Sequence, residues 1–157
     1  METELAYGLR EAAVTDVDTI VDHRLRMFRE MGIVLDEPRL REAFTTWLGS
    51  MMPAGVYRGW LVDTAAREVV AGGGITILPW PPGPRDFSGQ LPIIYNVYTN
   101  PDHRGRGLAR RIMEAIHTWC RSSGHRLVGL AASDAGRLLY AGLGYEVSRQ
   151  PYMFKQL

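Results

Sequence analysis

The run Asn96-Val97-Tyr98-Thr99-Asn100-Pro101-Asp102-His103-Arg104-Gly105-Arg106-Gly107-Leu108-Ala109-Arg110-Arg111 constrains this chain more than any other. It begins as a β-branched and aromatic strand. It passes through a turn holding Gly105, Gly107, Arg104 and Arg106, and it enters an amphipathic helix whose first turn carries Arg110 and Arg111. The first amides of a helix have no intrahelical acceptor, and they converge on one spot where the helix dipole favours negative charge. Gly105 and Gly107 let the backbone approach a ligand with no Cβ in the way, Ala109 is nearly as small, and the arginines can add charge-assisted bonds to oxyanions. The turn reads as a seat for the diphosphate of a nucleotide-like cofactor. The plain alternative is a solvated arginine cluster beside an ordinary turn.

Other phosphate loops do not fit these residues. A Walker loop requires a Gly-Lys pair, but Leu108 follows Gly107 and no such pair exists in the chain. A dinucleotide fingerprint requires a third glycine where Arg110 stands, and the unit does not open a run of parallel strands. What remains is Arg104-x-x-Gly107-x-Ala109 between a buried strand and an amphipathic helix.

The rest of the chain supplies elements around this unit. Ala6 to Ala12 reads as a short first strand. Thr15 or Asp16 is placed to cap a helix running to about Met31, with Val17, Ile20, Val21, Leu25, Phe28 and Met31 on one face. Pro38 opens a second helix with Leu40, Phe44, Trp47, Leu48 and Met51. Residues 56–63 and 68–78 read as strands joined by a short turn. Gly72-Gly73-Gly74 interrupts the second, which a strand tolerates at a bulge or where something passes close to the backbone. Residues 79–92 contain five prolines and two glycines, so they are expected to form a long loop and neither helix nor central strand. Ile93 to Thr99 follows as a buried strand, Gly107 to Ser123 as a helix with Leu108, Ile112, Ala115, Ile116 and Trp119 on one face, and Arg126 to Ala131 as a strand. Ala135 to Gly142 reads as a short helix capped by Asp134. Residues 145–147 and 152–156 read as closing strands. The fold class is a mixed α/β (α+β) domain over residues 1–157, with a mostly antiparallel central sheet flanked by helices and one β-α-β crossover at residues 93–131.

Composition narrows the function classes. A net charge of +1 supplies no global field toward nucleic acid or an anionic membrane. Binding of nucleic acid through the arginine turn alone would be weak and strongly salt-dependent. No apolar run approaches the ~20 residues of a membrane span. The acidic start, residues 1–4, lacks the layout of a signal peptide. Cys120 is the single cysteine, so no internal disulfide forms. A cytoplasmic location is the expectation, and both monomer and homodimer stay open. The chain has no Cys-x-x-Cys, His-x-x-x-His or Gly-x-Ser-x-Gly pattern, so no metal or serine-hydrolase chemistry is expected.

Two separated motifs share a family. The first is the Arg104-x-x-Gly107-x-Ala109 turn. The second is Leu130-Ala131-Ala132-Ser133 followed by Leu138-Leu139-Tyr140-Ala141-Gly142-Leu143-Gly144-Tyr145, with Tyr145 where phenylalanine is usual. Together, in this order and on these elements, they resemble the acetyl-CoA loop and the strand, short helix and "Leu-Tyr-x-x-x-Gly-Phe" ending of the GCN5-related N-acetyltransferase (GNAT) superfamily. The resemblance spans roughly residues 6–157. It implies the acyl-CoA N-acyltransferase fold, in which the parallel strands at 93–99 and 126–131 splay apart to admit acetyl-CoA.

The resemblance also assigns roles. Acetyl-CoA would be the acyl-donor cosubstrate, and an amine acceptor would attack its thioester directly. Backbone groups of Val97 and Thr99 would pair with the pantetheine arm, and N–H groups near Val97 or Tyr98 would hold the oxyanion. Amides of Arg104, Gly105, Arg106, Gly107, Leu108, Ala109 and Arg110 would take the diphosphate. Tyr140 would give a proton to the departing thiolate, with its pKa lowered by the phosphate-binding field. Packing in the core is the other reading of Tyr140. Ser133 stands where many relatives carry an asparagine that bonds the cofactor arm. Asn96 stands where many place a glutamate base, and an amide has no usable acid–base pKa. A non-catalytic acyl-CoA-binding module is therefore the alternative to an enzyme.

The remaining candidates are weaker. His103 neighbours the arginine turn, His117 is expected on a solvated helix face, and His23 could border an acceptor pocket. Cys120 is expected buried and unreactive. The first two helices and the proline loop should frame the acceptor, with Met27, Met31, Met51, Met52, Trp47 and Trp80 as apolar surface or as core. The loop reads as a semi-rigid lid or as a plain hairpin connection.

Overall fold

The structure, a computed structural model, describes residues 6–157; the acidic start at residues 1–4 lies outside the described residues. One sheet of five strands runs β1 (Tyr7–Glu11), β2 (Tyr57–Thr64), β3 (Val69–Pro79), β4 (Gln90–Thr99) and β5 (Gly129–Leu130), in that spatial order. The first four are antiparallel neighbours, and β4 and β5 are parallel. Among the described residues four α-helices flank it: α1 (Val17–Glu30), α2 (Glu37–Met51), α3 (Leu108–Ser122) and α4 (Arg137–Gly142). This is the mixed, mostly antiparallel architecture expected from the sequence.

The sheet is covered on both faces. Ile112, Met113 and Ile116 of α3 are fully buried with Val62, Val70, Ala71 and Ile75 of the sheet. On the other face, Ile20, Val21 and Leu25 of α1 pack with Leu48 of α2 and Tyr57. The glycine run of β3 makes both packings fit. A Cβ on Gly73 would lie 2.8 Å from Ile112, one on Gly72 would lie 2.8 Å from Leu61 and 3.0 Å from His23, and one on Gly74 would strike the Tyr57 ring. The run also faces a bulge: Gly72 opposes Tyr98 and Gly74 opposes Tyr95, so Asn96 and Val97 share the single partner Gly73. Close approach holds for the glycines, whereas the bulge lies in the facing strand β4 and not in the glycine run.

Several elements depart from the sequence reading. The proline segment is shorter as a loop than expected, because Pro79 ends β3 and Pro92 lies inside β4 opposite Ile77. Ile77 turns its N–H toward Val56 O at 2.8 Å, away from β4, so the Ile77–Pro92 pair loses no ladder bond to the imino nitrogen. The loop itself is a hairpin connection. Its Asp86 accepts from Ser88 N and Arg126 N, both at 2.7 Å, and Trp80 packs edge-on to Tyr152. It stands at the opposite end of β4 from the glycine turn. Arg126 to Ala131 shrinks to the two residues of β5, and residues 143–157 contain no strand. A strand needs an edge to pair with, and two residues offer too short a ladder. Met153 and Phe154 stand 92% and 95% exposed as a result. The cap before α4 is Ser133 rather than Asp134: its Oγ accepts from Gly136 N at 3.3 Å to close a 3-10 turn at Asp134–Gly136.

Candidate active site

β4 and β5 are joined only at Ile93–Gly129 and Ile94–Leu130. From Tyr95 to Thr99 the edge of β4 that faces β5 has no strand partner among the described residues, so the two strands diverge toward the glycine turn. Asn96 sits at the start of the divergence with φ +58°, a left-handed conformation that asparagine tolerates better than most residues. The bulge it creates interrupts the β3–β4 ladder, which resumes at Tyr98, just where β4 parts from β5.

The turn after β4 leaves its backbone open. Gly105 and Gly107 take φ +72° and +74°, and neither has a protein atom within 4 Å of where a Cβ would stand. Gly107 caps α3, and Arg111 N closes the first helical bond onto its carbonyl at 3.1 Å. Among the described residues, the amides of Gly105, Arg106, Gly107, Leu108, Ala109 and Arg110 donate to no protein acceptor. Leu108 anchors the turn, its side chain buried in the core while its amide faces out. Arg104 differs from the rest: its own amide donates to Pro101 O at 3.2 Å. Its guanidinium donates from Nε to Thr99 O at 2.9 Å and pairs with Glu30 through Nη2 at 2.6 and 2.8 Å. Arg111 reaches back to Tyr7 O at 3.3 Å. Arg106 and Arg110 are exposed and form no ion pair among the described residues.

Tyr98 is buried on the α1 face, its hydroxyl donating to Glu30 at 3.3 Å and its ring 5.1 Å from that of His23. Val97 packs toward the α3 side. α4 carries Tyr140 half-buried against the same core, edge-on to Tyr145 at 6.0 Å. Its hydroxyl has no hydrogen-bond partner among the described residues. Burial pushes its pKa above the ordinary tyrosine value, opposite to the lowering expected from a phosphate field.

The Acetyltransferase (GNAT) domain family matches residues 57–147, from β2 through the Gly144-Tyr145 ending. The chain belongs to the GNAT acetyltransferase family. Its members are acetyl-CoA-dependent N-acyltransferases. A GCN5-related N-acetyltransferase from Ralstonia eutropha JMP134 is 28% identical, with a TM-score of 0.89 over 97% of this chain and 99% of that one. A predicted acetyltransferase from Clostridium acetobutylicum, crystallised with acetyl-CoA, is 21% identical with a TM-score of 0.88, covering 96% of each chain. The glucosamine-6-phosphate N-acetyltransferase of Arabidopsis thaliana shares the fold at 17% identity and a TM-score of 0.72, over 96% of this chain and 98% of that one. Among curated proteins none matches the chain.

In this GNAT domain three of the histidines make contacts of their own. His103 accepts from or donates to Tyr7 Oη at 2.9 Å through Nδ1. His117 is half-buried and bonded to Tyr145 Oη at 2.6 Å, so it is not simply solvated. His23 is buried, and desolvation lowers its pKa to about 4, helped by the nearby Arg26 charge. Cys120 is buried, its thiol pushed up to about 11 by desolvation, as suits an unreactive core residue. Among the described residues no group of three or more His, Cys, Asp or Glu could hold a metal ion, and no helix is long and apolar enough to cross a membrane.

Three residues at the site were not picked out from the sequence. Arg24 of α1 donates from Nη1 to Asn96 Oδ1 at 2.7 Å. Tyr57 lies beside Asn96 with its pKa raised to about 12 by burial. Gly136 lies beneath the Tyr140 ring. A signal for Arg24 was available: it falls within the apolar stripe of α1, between Val21, Leu25 and Phe28, where a solvated cation has no place.

Proposed function

We propose that this chain, as a single GNAT-like domain over residues 1–157, transfers an acetyl group from acetyl-CoA to a primary amine of a small molecule or protein by direct attack on the thioester. The run of unpartnered amides from Gly105 to Arg110, at the mouth of a β4–β5 gap open from Tyr95 onward, carries this reading. It is the donor set a diphosphate requires, and the open space above Gly105 and Gly107 leaves room for it. The acetyl-CoA in the Clostridium relative supports the same donor here.

Acetyl-CoA supplies the activated acyl group. Val97 and Thr99 offer backbone groups along the free edge of β4 to its pantetheine arm, although Thr99 O already accepts one bond from Arg104. The N–H of Val97 stabilises the oxyanion, because Tyr98 points its own N–H toward β3, two residues before Asn100, whose N–H bonds Val70 O at 2.8 Å. Tyr140 holds the proton for the departing sulfur, and its elevated pKa keeps that proton in place at neutral pH. Ser133 acts on the cofactor arm through its hydroxyl hydrogen, since its oxygen is engaged in capping Gly136. Asn96 cannot take the amine's proton, so a water chain, or a carboxylate or histidine on the acceptor side, carries it away.

The test pairs a binding and a turnover measurement. Acetyl-CoA at millimolar concentration should raise the melting temperature, and thiol release should appear with an amine from an acceptor screen. A flat melting curve would remove the cofactor seat. Binding without thiol release from any amine would leave the non-catalytic acyl-CoA module, which the absence of a carboxylate at Asn96 favours.

A further inference from the structure

The charge on Arg24 is unanswered. Six other arginines (Arg10, Arg29, Arg41, Arg58, Arg104 and Arg137) each lie within 4.0 Å of a carboxylate, and Arg29 does so from the same helix. Arg24 has none among the described residues. Its guanidinium carbon lies 4.9 Å from the ring centroids of both Phe28 and Phe44. Stacking satisfies the faces of a guanidinium and leaves its edges as the donors. One edge donor, Nη1, goes to Asn96 Oδ1. The Nε–Nη2 edge, the side that forms bidentate bonds, goes to nothing: Nε is buried without a partner, and Nη2 has no acceptor among the described residues. Asn96, only 5% exposed, turns the rest of its amide toward the Tyr57 hydroxyl. A buried orphan donor on a half-buried cation without a counter-ion forms a site that lacks a planar oxyanion.

Its position says whose oxyanion. Asn96 immediately precedes Val97, at the point where β4 parts from β5. Arg24 therefore acts next to the reacting centre, on the α1–α2 face and away from the diphosphate turn. Phe28, Phe44 and Trp47, the last stacked on Phe44 at 5.9 Å, give the surroundings an apolar and aromatic character.

We propose that the acceptor is a primary amine carrying a carboxylate a short spacer away, of the α-amino acid type with an apolar remainder, and that Arg24 selects it by a bidentate bond. This rests on the acetyltransferase reading of the same cleft. Burial lowers the Arg24 pKa, as expected for a cation whose partner arrives with the substrate.

The experiment measures thiol release with L-phenylalanine and L-leucine against their decarboxylated counterparts, phenethylamine and isoamylamine. The wild-type protein should favour the carboxylates in kcat/KM by about tenfold or more, the worth of a charge-assisted bond. Arg24→Gln should collapse that ratio. Asn96→Asp keeps the side-chain shape, supplies Arg24 with a carboxylate from within, and should collapse it too, so the test survives if one variant fails to fold. A ratio unchanged in both variants, a wild-type preference for the decarboxylated amines, or no turnover of any carboxylate overturns the proposal. The melting-temperature rise with acetyl-CoA is read in parallel: its presence alongside a failed ratio sinks only the acceptor class, whereas its absence sinks the cofactor seat itself.

Discussion

The Tyr140 ring lies over Gly136 so closely that a Cβ on the glycine would stand 2.5 Å from Cε2 and 2.9 Å from Cζ. The two residues sit one helical turn apart, the glycine ending the 3-10 turn capped by Ser133 and the tyrosine within α4. Gly136 has an ordinary right-handed conformation, φ −90°, so alanine there meets no backbone strain. The nearest obstacle is the ring. Gly136→Ala should therefore displace Tyr140 with little change in melting temperature, while kcat falls nearly as far as in Tyr140→Phe. Circular dichroism melts beside thiol-release kinetics check this. Unchanged kcat in a folded Gly136→Ala protein would show that the ring's position is immaterial.

The proton on Tyr140 makes a pH prediction. An acid must be protonated to donate, and burial raises its pKa above the ordinary ~10. The protonated fraction is therefore full at neutral pH and declines only as pH rises beyond that ordinary value. The kcat profile should stay flat on its alkaline side until above about pH 10. Tyr140→Phe should lower kcat by at least about tenfold, within the range of general-acid catalysis, and abolish any alkaline limb. A limb that persists in the variant would assign the ionisation to another group.

The sequence disclosed some parts of this site and hid others, for physical reasons. Gly105 and Gly107 were legible because only glycine takes φ near +70° cheaply, and the apolar stripe of Leu108, Ile112 and Ile116 marked the helix they open. Long amphipathic helices such as α1 and α3 repeat their signal over several turns. The C-terminal segment carries strand-forming residues without a sheet edge to meet them, and pairing is a property of the neighbour, not of the segment. Pro92 misled for the opposite reason: its missing N–H costs nothing in a pair that makes no ladder bond, a fact fixed only by register. Arg24 and Asn96 are 72 positions apart, so no local pattern could couple them.

His23 predicts how stability depends on pH. Its ring is buried against Tyr98, with a folded pKa of about 4, lowered first by desolvation and then by Arg26, while Asp22 pulls the other way. Because the folded value lies below the ordinary ~6.5, the unfolded chain binds the proton first as pH falls. Stability is thus complete above about pH 6.5 and declines from there toward pH 4. His23→Gln should melt lower than wild type at pH 7.5, since it loses the packed ring, but its melting temperature should fall less steeply over that acidic window. Parallel slopes in the two proteins would show that His23 does not carry the dependence.

The four arginines of the turn should separate by where their side chains are held. Arg104 is bound to Glu30 and Thr99 O, and Arg111 to Tyr7 O, whereas Arg106 and Arg110 extend from the open amides with no ion pair among the described residues. Arg106→Ala and Arg110→Ala should each weaken coenzyme A binding by about threefold to tenfold at low salt, with a smaller loss at high salt, where screening already mutes the wild-type attraction. Arg104→Ala should change coenzyme A affinity by less than about twofold, and its cost should appear as ~0–1 kcal/mol of stability, the worth of an exposed ion pair. Titration calorimetry at about 50 and 300 mM salt distinguishes the two groups. A large, salt-dependent loss confined to Arg104→Ala would mean that its guanidinium leaves Glu30 for the phosphates when the ligand binds.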